Sequence, residues 1–229
     1  MEKKEEHFCE IIYVLLQTAG LPAYILYAET AGKELYASEI LQKYYFLPVF
    51  CYLVAVVIFW LINQVRAIRA DTSHENLKVL NSMLILKYGM VVYFIVNYIT
   101  WVFLFFFISG AMVIATRGLG VLMLPFVIAF VPAVVLLAFL SMLPGSMYGI
   151  KVAEMTRNCG RTDNGSTIIH GFLQFLFVLD VLDAMYLSVI KWKRGKKSAA
   201  IILCLYVLLI ILIIIFGGIV ISGIIKLFR

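Results

Sequence analysis

Apolar residues in this chain come in long, nearly uninterrupted runs, and the polar residues collect between them. About 20 apolar residues in a helix cross a hydrocarbon core of about 30 Å. The pattern predicts six helices, at 8–28, 44–62, 73–110, 119–143, 167–190 and 199–225, within one domain spanning 1–229. The first is interrupted at Gly20-Leu21-Pro22 and carries Gln17, and the fourth contains Pro125 and Pro132. Membrane helices tolerate proline as a kink. Tyr44, Tyr45 and Trp60 bracket the second segment where aromatic rings prefer the interface. Thr72-Ser73-His74-Glu75 fits a capping box, so the third helix is expected to begin near Ser73 and to enter the bilayer near Lys87. Loop 157–166 is rich in turn formers, and there is no internal repeat.

Composition turns this pattern into a fold class. Hydrophobic residues make up 64% of the chain, charged residues only 14%, and the mean hydropathy is +1.02. A soluble domain is about half apolar and about a quarter charged. A water-soluble fold of this length could not hide so much apolar surface. The expected fold is therefore an all-α polytopic membrane helix bundle. The net charge of +6 could suggest nucleic acid, but the bases sit in short runs beside apolar segments, as in membrane proteins. Nucleic acid is excluded as a partner, and membrane lipids are expected in its place. The mixed charges of the first ten residues do not form the basic start of a signal peptide. Among the four cysteines, Cys51 and Cys204 lie inside apolar runs, while Cys9 and Cys159 do not. No metal-binding spacing is present.

Charge placement bears on the number of crossings. Basic loops face the cytoplasm. One such loop holds Arg66, Arg69 and Lys78, and another holds Lys191, Lys193, Arg194, Lys196 and Lys197. Three candidate segments separate them, which would put them on opposite sides if all three cross. With six crossings and a cytoplasmic N-terminus, ten bases fall inside and eight outside, leaving Lys87 aside. If 167–190 does not cross, the division becomes thirteen to five. Each aspartate at a helix centre opposes insertion by roughly 2.5 to 3.5 kcal/mol, and 167–190 carries Asp180 and Asp183. Five spans plus one interfacial or re-entrant helix is the expected architecture, with six spans as the alternative. The N-terminus is expected in the cytoplasm.

The same segment holds the candidate chemistry. His170 and Gln174 are four apart, Asp180 and Asp183 three apart, and a helical wheel places Gln174, His170 and Asp180 within an arc of about 120°, with Asp183 at its edge. Ionisable groups inside a membrane are candidate ion or proton sites, with Lys87 as a candidate partner. The competing expectation is a polar face that meets headgroups and water, with Lys87 reaching to the interface. The polar face toward headgroups and water is the expected arrangement. It implies small, additive effects on replacing Lys87 or Asp180. Lys191, Lys193, Arg194, Lys196 and Lys197 are expected to contact lipid headgroups, with Trp192 as an interfacial anchor. Asn97, within the third segment, is expected to bond across helices, and Ser141, Gly145 and Gly149 have small-xxx-small spacing.

Walker A, HExxH and GxSxG sequences are all missing, so no enzyme and no cofactor are expected. The stretch from His170 to Asp183, followed by a basic run and a final apolar helix, resembles uncharacterised bacterial multi-span membrane proteins. The likeness covers the C-terminal third and implies a bacterial plasma membrane. Two functions remain open. One is a non-enzymatic accessory or immunity-type factor working through lipid, self-association or another membrane protein. The other is a small cation- or proton-coupled transporter using Asp180 and Asp183.

Overall fold

The computed structural model describes residues 7–34, 46–115 and 124–227. The described residues are all helical or irregular, with no strand. We number the helices α1 (Phe8–Glu34), α2 (Leu47–Ile68), α3 (Leu77–Ala115), α4 (Leu124–Asn158), α5 (Asn164–Leu173), α6 (Leu179–Met185) and α7 (Lys196–Leu227). A π-helical turn, Tyr186–Lys191, follows α6. Tyr44, Tyr45, Lys43 and Arg117 lie outside the described residues, as does the expected start of the fourth helix at 119.

Among the described residues, three helices are long and apolar enough to cross a membrane: Leu47–Ile68, Leu77–Asn97 and Pro132–Asn158. They become four if α1 is one span bent by 48° between Phe8–Gly20 and Pro22–Thr30. The bend falls at Pro22, which has no N–H to give the ladder. Just before it, the Tyr52 hydroxyl donates to the Leu16 carbonyl at 3.1 Å.

Helices α1 to α4 pack together around Tyr13, Ala67, Leu80, Met83, Leu86, Val152 and Met155. In α2 the usual pattern is inverted. Its buried residues are Asn63, Gln64 and Ala67, while Phe50, Leu53, Val57, Leu61 and Val65 are exposed. A helix in water turns its apolar stripe to the core. The Asn63 amide donates to the Cys9 and Phe59 carbonyls at 3.2 and 2.9 Å.

The bounds of α3 and α4 differ from expectation. Helix α3 begins at Leu77, where the Asn76 side chain accepts from the Lys78 amide at 3.2 Å, while upstream Asp71 accepts from both the amide and the hydroxyl of Ser73, at 2.9 and 2.7 Å. The expected capping box does not form, and those two bonds hold the Asp71 carboxyl below its ordinary range. Helix α4 continues past Pro144 to Asn158. Its last turns bury only one side, through Tyr148, Val152, Ala153 and Met155, so a continuous apolar run is not there to be read.

The largest difference is at 167–190, where one straight helix was expected. Helix α5 starts on Asp163, whose carboxylate accepts from the Ser166 amide at 3.3 Å, and it ends at Leu173. Val178 then takes a positive φ of 72°, which a β-branched residue rarely adopts. Helix α6 has only seven residues and α5 only ten. Neither can cross a hydrocarbon core, so the six-span alternative loses its fifth crossing.

The basic loops meet at one end of the bundle. The Arg161 guanidinium donates to the Glu75 carboxylate at 3.2 Å and to the Lys191 carbonyl at 3.1 Å. Asn158 donates to the Thr72 carbonyl at 2.9 Å. Trp192, expected at the interface, is instead buried. Its Nε1–H donates to Thr156 Oγ1 at 2.8 Å, and the Arg161 guanidinium lies 3.8 Å from the ring centroid. Among the described residues Asn97, expected to bond across helices, bonds its own helix at the Tyr93 carbonyl.

Candidate functional site

Lys87 leaves α3 toward α4 and is only 2% exposed. Its stem passes Gly145, where an added Cβ would make only an ordinary contact with the Lys87 Cδ, at 3.5 Å. The Nζ donates to Asp180 Oδ2 at 2.7 Å and to the Gln174 carbonyl at 3.4 Å. Ser146 Oγ donates to the same carbonyl at 2.6 Å. The break after α5 frees that carbonyl from the helical ladder, and α3 and α4 each supply a donor to it.

Asp183 lies in the same cluster, 5% exposed. Its carboxylate meets the Nδ1 of His170 and accepts from the Nε2 of Gln174. The His170 ring stacks on Tyr186 with centroids 5.4 Å apart. Gln174 lies against the backbone of Gly149, where any Cβ would overlap its amide. Its Oε1 is buried without a hydrogen-bond partner.

The break in 167–190 explains the geometry. On one straight helix, positions 170 and 183 would be about 20 Å apart. Folding α6 back against α5 lets His170 and Asp183 touch. The structure therefore brings together Lys87, His170, Gln174, Asp180 and Asp183. It overturns the expectation that the aspartates face water and headgroups, since Asp180 is only 4% exposed. The reaching role expected of Lys87 is likewise replaced by a buried ion pair. An unpaired charge in that place would be far too costly to keep.

The basic run divides differently. Lys193, Arg194, Lys196 and Lys197 are exposed. Lys191 is turned inward, with its Nζ donating to the Arg161 carbonyl at 3.0 Å.

A second polar cluster escaped the sequence reading. Glu10 is fully buried, accepting from Arg66 at 3.3 Å, Ser82 at 2.9 Å and Tyr148 at 3.3 Å. His7 Nδ1 lies 3.2 Å from the Ser82 hydroxyl. The signal was available: Glu10, Tyr13, Gln17 and Gly20 form a buried stripe at helical spacing along α1. Among the described residues no group of three or more His, Cys, Asp or Glu is arranged to hold a metal ion, and the four cysteines are free thiols.

Fold and site together define an all-helical protein with a buried cluster of opposite charges between its apolar helices. The chain belongs to a family of unknown function, DUF6652, which matches residues 3–194. The match is wider than the C-terminal third, includes every residue of the cluster, and ends before α7. No curated protein and no solved structure matches the chain.

Proposed function

We propose that the chain is a multi-pass integral protein of a bacterial plasma membrane and a small proton- or cation-coupled transporter. Helices α1, α2, α3, α4 and α7 make five crossings, residues 164–191 form a re-entrant segment, and the N-terminus is cytoplasmic. Support for the membrane comes from the inverted burial of α2 and from the meeting of the basic loops at one end.

One observation carries the transport reading: Lys87, Asp180, Asp183 and His170 are all buried in one cluster. Ionisable groups within membrane helices are expensive, and they are functional candidates for that reason. With His170 neutral, one ammonium faces two carboxylates, leaving a single negative charge. A proton taken up between His170 and Asp183 cancels it. A small cation drawn to Asp180 competes with Lys87 for the same carboxylate. No catalysed reaction and no cofactor form part of this reading.

A non-enzymatic accessory or immunity-type role is the second reading. It is favoured by the 2.7 Å Lys87–Asp180 contact, which equally suits a fixed clamp holding the broken segment on the bundle. Proteoliposomes under a pH gradient separate the two. The transporter moves protons or a cation, and Asp180→Asn with Asp183→Asn stops it. Absent flux in wild-type vesicles, or flux unchanged in the double variant, removes the transporter reading.

A further inference from the structure

What already faces the two buried carboxylates bears on which ion they take up. Nitrogen donors meet both of them. Lys87 Nζ lies 2.7 Å from Asp180 Oδ2. His170 Nδ1 meets Asp183 Oδ1, and Gln174 Nε2 donates to Asp183 Oδ2. A hard metal cation is held by several oxygens turned toward it. Here it would have to displace an ammonium from one carboxylate, or two ring and amide nitrogens from the other. A proton displaces nothing. We propose that the ion is a proton, held on Asp183, and that Gln174 is the positioning residue that accommodates both protonation states; the inference deepens the transport reading above and rests on it.

Gln174 is fully buried. Its Nε2 donates to Asp183, while its Oε1 has no hydrogen-bond partner among the described residues. Leaving a buried acceptor unpaired is costly. The amide carries donors at one end and an acceptor at the other, and half a turn about its last bond exchanges the two without changing its shape. The space for it is left by Gly149, where a Cβ would overlap the amide. As it stands, Gln174 donates to a carboxylate. Turned over, its oxygen accepts from a carboxyl O–H. In the uptake step, hydronium gives its proton to Asp183 Oδ2 and leaves as water. An O–H bond forms, the amide turns, and His170 stays on Oδ1. The single negative charge of the cluster is cancelled.

Among the described residues, the titratable groups around this carboxyl come from four elements. Lys87 lies on α3, His170 on α5, Asp180 on α6 beside Asp183 itself, and Tyr186 in the π-helical turn, stacked on His170. Tyr206 of α7 lies on the Asp180 side. The neighbours from α4 are Ser146 and Gly149, which carry no charge.

Infrared difference spectroscopy of the full chain in detergent, between acid and alkaline pH, tests the proposal. The wild type should show a protonated-carboxyl band and a side-chain amide band that change together with one midpoint. Asp183→Asn should lose this pair. Gln174→Leu should lose the amide band and move the carboxyl band to higher frequency, because the O–H no longer has an amide oxygen to donate to. Exchanging choline for sodium or potassium should leave the wild-type midpoint in place. A carboxyl band retained in Asp183→Asn overturns the proposal, as does an unmoved carboxyl band in Gln174→Leu or a midpoint that shifts with sodium or potassium. If Asp183→Asn does not fold, the last two criteria decide, and the salt exchange needs only the wild type. Proteoliposome flux reports separately. Absent flux beside the expected spectra would sink the transport reading, whereas sodium or potassium flux beside a salt-shifted midpoint would sink the proton assignment alone.

Discussion

Lys87 and Asp180, 93 positions apart in the chain, meet at 2.7 Å with both side chains buried. The ammonium comes from the middle of the bundle and the carboxylate from a seven-residue helix laid against it. Removing one partner of a buried pair typically costs about 3 to 5 kcal/mol, because the other charge is left uncompensated. Lys87→Met and Asp180→Asn should each destabilise the protein by about that much, and the double variant should recover part of the loss. Thermal or denaturant unfolding in detergent measures the cycle. Additive losses under about 1 kcal/mol would mean that the pair is not formed.

Gly149 and Gly145 should separate sharply despite belonging to one small-residue stripe. A Cβ on Gly145 would make ordinary contacts of 3.5 Å with Leu86 and Lys87. A Cβ on Gly149 would overlap Gln174, which has nowhere to retreat, being fully buried and bonded to Asp183. Gly149→Ala should therefore cost about 1 to 3 kcal/mol by overpacking, and Gly145→Ala should change stability little. Melting both variants side by side decides the matter; equal effects would refute the packing argument.

Much of this arrangement was legible in the residues. Long apolar runs gave the helices, and aspartates in an apolar segment drew attention to 167–190. What the wheel could not supply was the break. Nothing local in Phe175–Leu179 marks a turn, yet Val178 sits at φ 72°, and Lys87 and Ser146 take the Gln174 carbonyl that a continuous helix would pair with the Val178 amide. Tertiary partners outweighed local preference. Burial of the aspartates was misjudged for the same reason, since their partners lie on α3 and α5. Glu10 was passed over because an acid at the edge of an apolar run looks like a helix end, until Arg66 and Ser82 from other helices are seen to enclose it.

The placement of the loops gives the sharpest test of topology. Arg161 joins the Glu75 carboxylate to the Lys191 carbonyl, so the loop after α2 and the basic run before α7 share one end of the bundle. An odd number of crossings between them would separate them by the thickness of a bilayer, about 30 Å of hydrocarbon. Basic loops favour the cytoplasmic side. The four native cysteines are free thiols, so replacing Cys9, Cys51, Cys159 and Cys204 breaks no disulfide. Ser73 sits in the loop after α2 and Ser198 in the first turn of α7, and both are exposed. In that background, a single cysteine at either position should resist a membrane-impermeant thiol reagent in intact cells and react after permeabilisation. Reaction of one position but not the other in intact cells would require an odd number of crossings. The re-entrant placement of 164–191 would then fall, and with it the shared end at which Arg161 makes its two contacts.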